Sequence, residues 1–149
     1  MQLKLVIAAA LLAAAPLPVA ACGLALGTGG VLTLSGDGKT LGSDQLLGVP
    51  STFTVTNGLL DGAATITVSA PTVSAYPPGF NIGGAQASIA YDGAGLLGSV
   101  HQGYTTSQSS FQIPGLLSLL VVMTINSRIS SPTGFNQGTY NTKTTITCS

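Results

Sequence analysis

Ala64-Thr65-Ile66-Thr67-Val68-Ser69-Ala70-Pro71 alternates apolar and hydroxyl residues and then stops at a proline. Successive side chains on an extended strand point to opposite faces. This period of two therefore predicts a strand with Ala64, Ile66, Val68 and Ala70 on one face and Thr65, Thr67 and Ser69 on the other. Pro71 ends it because proline has no N–H to give to a ladder. The same pattern appears upstream in Thr52-Phe53-Thr54-Val55-Thr56, followed by Asn57-Gly58, a pair that tolerates positive φ and suits a tight turn. The two stretches are expected to pair as a hairpin.

The pattern continues outward from this pair. Leu32 and Leu34 alternate with Thr33 and Ser35 before the turn Gly36-Asp37-Gly38, and the glycine-rich residues 27–30 are read as flexible chain entering that first strand. Residues 71–84, rich in proline and glycine, are expected to connect strands without joining a ladder. Ala87, Ile89 and Tyr91 mark a strand ending at Asp92-Gly93, and the polar residues 104–113 mark an edge strand. Residues 116–129 form the most apolar strand. Leu119, Val121, Met123, Ile125 and Ile129 share one face and Leu120 and Val122 the other, so its first half is expected to be covered on both sides. Pro132-Thr133-Gly134 then turns into a last strand in which Tyr140, Thr142, Thr144, Ile146 and Cys148 share a face. With no amphipathic helix and no fixed repeat, the fold class is all-β: a single antiparallel β-sandwich of about seven strands, with a barrel as the alternative.

Residues 1–21 have the form of a secretory leader: Lys4, an apolar run from Leu5 to Ala15, then small residues ahead of Cys22. The run falls short of the roughly 20 residues that a spanning helix needs, so the expected organisation is a cleaved signal peptide, 1–21, and one domain, 22–149, with no transmembrane segment in the mature chain. The expected location is exported: periplasm, cell surface or extracellular filament. Only 5% of the chain is charged, against about a quarter in an ordinary soluble domain. Without the leader, Lys39, Arg128 and Lys143 stand against Asp37, Asp44, Asp61 and Asp92, one net negative charge. Nucleic acid is thereby excluded as an expected partner, since phosphate binding needs clustered lysine and arginine. The sheet edges also lack the charges that usually repel a neighbouring strand.

Two cysteines, Cys22 and Cys148, lie at opposite ends of the mature chain. In an exported protein they are expected to form one disulfide. Val19-Ala20-Ala21-Cys22 also resembles a lipobox, whose cysteine sulfur is acylated, so a lipid anchor at Cys22 is the alternative.

No catalytic, metal or cofactor site is expected. His101 is the only histidine and is read as an exposed loop residue; no serine lies in a G-x-S-x-G elbow; Asp37-Gly38 and Asp92-Gly93 read as turn pairs. The aromatic residues Tyr76, Phe80, Tyr91, Tyr104, Phe111, Phe135 and Tyr140 are read mainly as core or strand-pairing residues. Tyr76 and Phe80, in the proline-rich loop, form the candidate ligand loop.

Gly134-Phe135-Asn136-Gln137-Gly138-Thr139-Tyr140, followed by Thr144-Thr145-Ile146-Thr147-Cys148, resembles the closing strand of the spore coat protein U family and related pilin-like secreted proteins of bacteria. The resemblance implies an immunoglobulin-like sandwich lacking one strand, completed by a strand from a periplasmic chaperone or another subunit, and hence a surface structural or adhesive role of the fimbrial kind. This chain departs from that pattern in that Cys22 follows the leader directly. Residues 23–34, with Leu24, Leu26, Leu32 and Leu34, would serve as a donor only if Cys22 is not tied into its own domain. The alternative is a non-polymerising envelope module, possibly lipid-anchored, that binds a protein or polysaccharide.

Overall fold

The computed structural model describes residues 22–58, 62–95, 98–115 and 119–149; the leader expected over 1–21 and the apolar residues 116–118 lie outside them. In chain order the strands are β1 (Gly23–Leu26), β2 (Thr33–Leu34), β3 (Thr40–Gly42), β4 (Ser51–Asn57), β5 (Ala64–Val68), β6 (Thr72–Ala75), β7 (Gln86–Gly95), β8 (Gly98–Thr105), β9 (Ser109–Ile113), β10 (Leu119–Ser130), β11 (Asn141–Lys143) and β12 (Ile146–Cys148), with a single-turn 3-10 helix at Ile82–Gly84. The expected all-β, antiparallel, sandwich-like architecture is what the chain adopts.

The long strand β10 is the spine of the larger sheet. On one side it pairs with β4 over residues 119–125 and then, where β4 ends, with β3 over residues 128–130. On its other side β7 runs from Val122 to Ser130. Strand β8 flanks β7, β1 flanks β4 and β2 flanks β3. The second layer is narrower: β5 lies between β9 and β12, and β6 pairs with β11 beyond it. Pro71, which cannot donate to a ladder, separates the two halves of this layer. Ser69 spans the break, its N–H donating to the Thr145 carbonyl at 2.8 Å and its carbonyl accepting from Thr144 Oγ1 at 2.8 Å.

The core forms where alternate residues of the two layers meet. Phe53, Val55, Ile89, Tyr91, Val121, Met123 and Ile125 come from the larger sheet, and Ile66, Val68 and Ile113 from the smaller. The Tyr91 hydroxyl, carried into this apolar layer, donates to Ser109 Oγ at 2.9 Å, as a buried phenol requires.

Five readings of the sequence change. The hairpin expected at Asn57-Gly58 does not form: the flanking strands belong to different sheets, so Phe53 and Val55 face Ile66 and Val68 across the core. Period two identifies strands but not their partners. Asp92-Gly93 is the middle of β7, not a turn; Gly93 is needed because a Cβ there would lie 2.1 Å from Met123 Sδ. Asp37-Gly38 does turn the chain, with Gly38 at φ 70. Residues 104–113 divide into the end of β8 and all of β9, edge strands of different sheets, and residues 71–84 contain β6. Lastly, β10 is covered on one face only. Leu120 and Val122 remain 62% and 52% exposed beside Thr56, Thr54 and Ala94, with no layer above them.

Candidate docking groove between the sheets

Strand β1 pairs with β4 in the register Leu24↔Val55 and Leu26↔Phe53, so both leucines point toward the core side of the sheet. Their partners Val55 and Phe53 are buried at 0% and 2% exposure, yet Leu24 is 40% and Leu26 91% exposed. The same happens on β2. Leu34 pairs with Leu41, which pairs with the fully buried Ile129, and Leu34 is itself 52% exposed. The larger sheet thus extends past the smaller, and Leu26 and Leu34 on its inward side are left mostly in water.

Under this overhang runs a cleft of about 760 Å³. One wall is β1's end and residues 27–32, the other is residues 138–144 with Ile146, and Phe53, Ile89 and Ile125 form the apolar floor. Lys143 is the one charged residue lining it. The second wall is a sheet edge. Thr65 and Ser149 exchange both backbone hydrogen bonds, at 2.7 and 3.0 Å, and Ser69 N–H reaches the Thr145 carbonyl. By antiparallel alternation, Thr147 also bonds toward β5, leaving the N–H and C=O groups of Ile146 and Cys148 turned away from β5, on the edge from which Ile146 lines the cleft.

Cys22 and Cys148 form a disulfide, with Cα atoms 6.2 Å apart. It joins the start of β1 to the end of β12, tying the two sheets at one end of the cleft, and suits an oxidising compartment. An acyl anchor at Cys22 would need the same sulfur. An intact mass two hydrogens below that of the reduced chain is expected, and a large added lipid mass would refute the bridge.

The structure brings the two candidate ligand-loop residues together, with Tyr76 and Phe80 ring centroids 5.9 Å apart. Phe80 is 7% exposed, stacked on Phe135 at 5.5 Å and edge-on to Tyr140 at 4.9 Å, whereas Tyr76 is 45% exposed. The Tyr140 hydroxyl donates to the Asn136 carbonyl at 3.0 Å and accepts from the Asn136 N–H at 2.9 Å. This cluster braces residues 134–140 against the proline-rich loop, and so supports the cleft wall at Tyr140.

On the outer face of the larger sheet, His101 lies within β8, not in a loop, and its Nδ1 bonds the cross-strand Asp92 carboxylate; both are largely exposed. Asp44, Arg128 and Tyr104 form a second polar group that sequence reading missed, since nothing local links residues this far apart. Arg128 Nε donates to both Asp44 carboxylate oxygens at 3.2 and 3.0 Å, Nη2 donates to one of them, and the guanidinium lies 3.8 Å above the Tyr104 ring. The Arg128 hydrogen bond holds the Asp44 carboxyl below its ordinary range, and burial pushes the Tyr104 phenol up to about 12.

The sign for Asp44 follows from a folded value below the unfolded one. Its stabilisation is present above the ordinary carboxylate range and lost as pH falls through the depressed folded value. Asp44→Asn should cost about 1 kcal/mol at neutral pH, the pair being only partly exposed, and the difference should vanish in acid; a difference that persists there would refute the pairing. An alkaline titration followed by phenolate absorbance should show a step near 12 that Tyr104→Phe removes.

Among the described residues no three metal-ligating side chains come together, and no helix is long and apolar enough to cross a membrane. No protein-family model, curated protein or solved structure matches the chain.

Proposed function

We propose that this is an exported envelope protein with a structural or adhesive role, pilus-subunit-like, that assembles by accepting an extended strand from another chain. The observation that carries the reading is the row of core-facing leucines left uncovered above an unpaired sheet edge. An incoming strand would satisfy both needs at once, with backbone groups bonding along the β12 edge at Ile146 and alternate apolar side chains meeting Leu26, Leu32 and Phe53, which line the cleft. Covering one exposed leucine is worth about 1.5–3 kcal/mol, so two or three of them supply a useful affinity. The leader-like residues 1–21 and the disulfide both support the exported, oxidising location in this reading.

The test is thermal unfolding of the oxidised protein with a blocked nonapeptide alternating Val or Leu with Thr. At a free concentration 100-fold above Kd the complex gains about 2.7 kcal/mol, on the order of 10 °C in Tm. Leu26→Asp should leave the unliganded Tm almost unchanged, because that side chain already faces water, and should abolish the peptide response. A protein indifferent to this peptide at millimolar concentration would end the reading.

A further inference from the structure

We propose that the Cys22–Cys148 bridge is a lock on self-assembly: while closed it keeps β1 in its own sheet, and when opened by a dithiol it releases β1 to enter the cleft of a second copy. The proposal rests on the strand-addition reading and adds its regulation and one occupant. In the opening step the S–S bond breaks, the two sulfurs leave as the Cys22 and Cys148 thiols, and the dithiol is oxidised to its own disulfide.

Four features of β1 make it a detachable segment. It pairs on one side only, with β4, and all its residues are exposed. Its register sends Cys22, Leu24 and Leu26 to one face and Gly23 and Ala25 to the other, which is the alternation a strand needs to lie on the apolar floor of the cleft. Its ladder on the β4 side runs to Thr28, whose carbonyl accepts from the Thr52 N–H at 3.0 Å, and pairing resumes only at Val31, which exchanges backbone hydrogen bonds with Val49 at 2.7 and 3.0 Å and anchors the chain beyond the break. Gly29 and Gly30 lie between, with open space around the Cβ position of Gly29, as a hinge requires. Leaving β4 costs β1 a short ladder, and entering a neighbour's cleft restores one along β12 while covering leucines that the monomer leaves wet. The bridge prevents this because it fastens the first residue of the segment to the end of β12. Since donor and acceptor are different surfaces, the contact is head-to-tail and extends into chains of copies.

The experiment compares oxidised protein, the same protein reduced with dithiothreitol after folding, and the Cys22→Ser/Cys148→Ser variant, by size-exclusion chromatography with light scattering. The oxidised protein should stay monomeric, and both unbridged forms should give a ladder of discrete multiples with β circular dichroism retained. Leu26→Asp in the double-serine background should raise the concentration for half-assembly by about tenfold or more, the value of one lost leucine contact. Assembly indifferent to Leu26→Asp, or loss of β structure without discrete multiples, would overturn the lock. Unbridged forms that stay monomeric while the oxidised protein still takes the nonapeptide would also overturn it and leave strand addition standing. Protein that takes no peptide in either state would remove strand addition itself.

Discussion

Replacing Cys22 and Cys148 together by serine should lower the unfolding free energy by about 2–5 kcal/mol relative to the oxidised protein. The bridge closes a loop with a sequence separation of 126, so the unfolded chain is constrained along nearly the whole domain. In the loop-entropy model such a closure is worth about 5 kcal/mol at 25 °C, and incomplete release of the unfolded chain lowers the measured figure. The bridge also joins the two sheets directly, with Cys22 and Cys148 both packed against the core cluster. Urea denaturation at low protein concentration, where self-assembly does not contribute, is the appropriate measurement. With a slope of about 1–3 kcal/mol/M the midpoint should fall by on the order of 2 M. A loss below about 1 kcal/mol would show that the two sheets hold together without the covalent tie.

The second large effect contrasts two residues of β10. Met123→Ala should cost about 2–5 kcal/mol, because Met123 is completely buried between the layers and fills the space beside Gly93. Leu120→Thr, three residues earlier on the opposite face, should be neutral within about 0.5 kcal/mol, because Leu120 is already 62% exposed. Equal costs at the two positions, read from urea midpoints at unchanged slope, would mean that the outer face of β10 is covered after all.

Much of the fold was legible in the residues. Period two alone groups Ile66 with Val68, Ile89 with Tyr91, and Val121, Met123, Ile125 and Ile129 on one face of their respective strands, and all are buried. Parity is local, set by the pleat of one strand, so it survives whatever the strand pairs with. The partnering was not legible. The reading placed Phe53 and Ile66 in one hairpin, whereas they face each other from different sheets, because Asn57-Gly58 permits a tight turn without imposing one. Gly93 carried an ambiguous signal for the same kind of reason: a glycine that makes room for Met123 looks, in one dimension, like a glycine that turns the chain.

The candidate site divides along the same line. Cys22 and Cys148 were expected to pair, and they do. Leu24, Leu26, Leu32 and Leu34 were noted as an alternating apolar series, but whether such leucines are covered depends on how far the opposite layer extends. Nothing within residues 23–34 carries that information. The Asp44, Arg128 and Tyr104 group was invisible for a related reason, since its members meet only because the turn after β3 lies beside the end of β10 and Tyr104 reaches Arg128 from β8 across β7.

Composition and alternation by themselves determined that this chain forms antiparallel β-structure with few charges at its edges, and that its two cysteines are available to each other. That one sheet outgrows the other and leaves core-facing leucines in water above an unpaired edge emerges from the packing of distant strands alone. The pleat is a property of each strand alone, whereas the width of a sheet depends on which distant strands find one another.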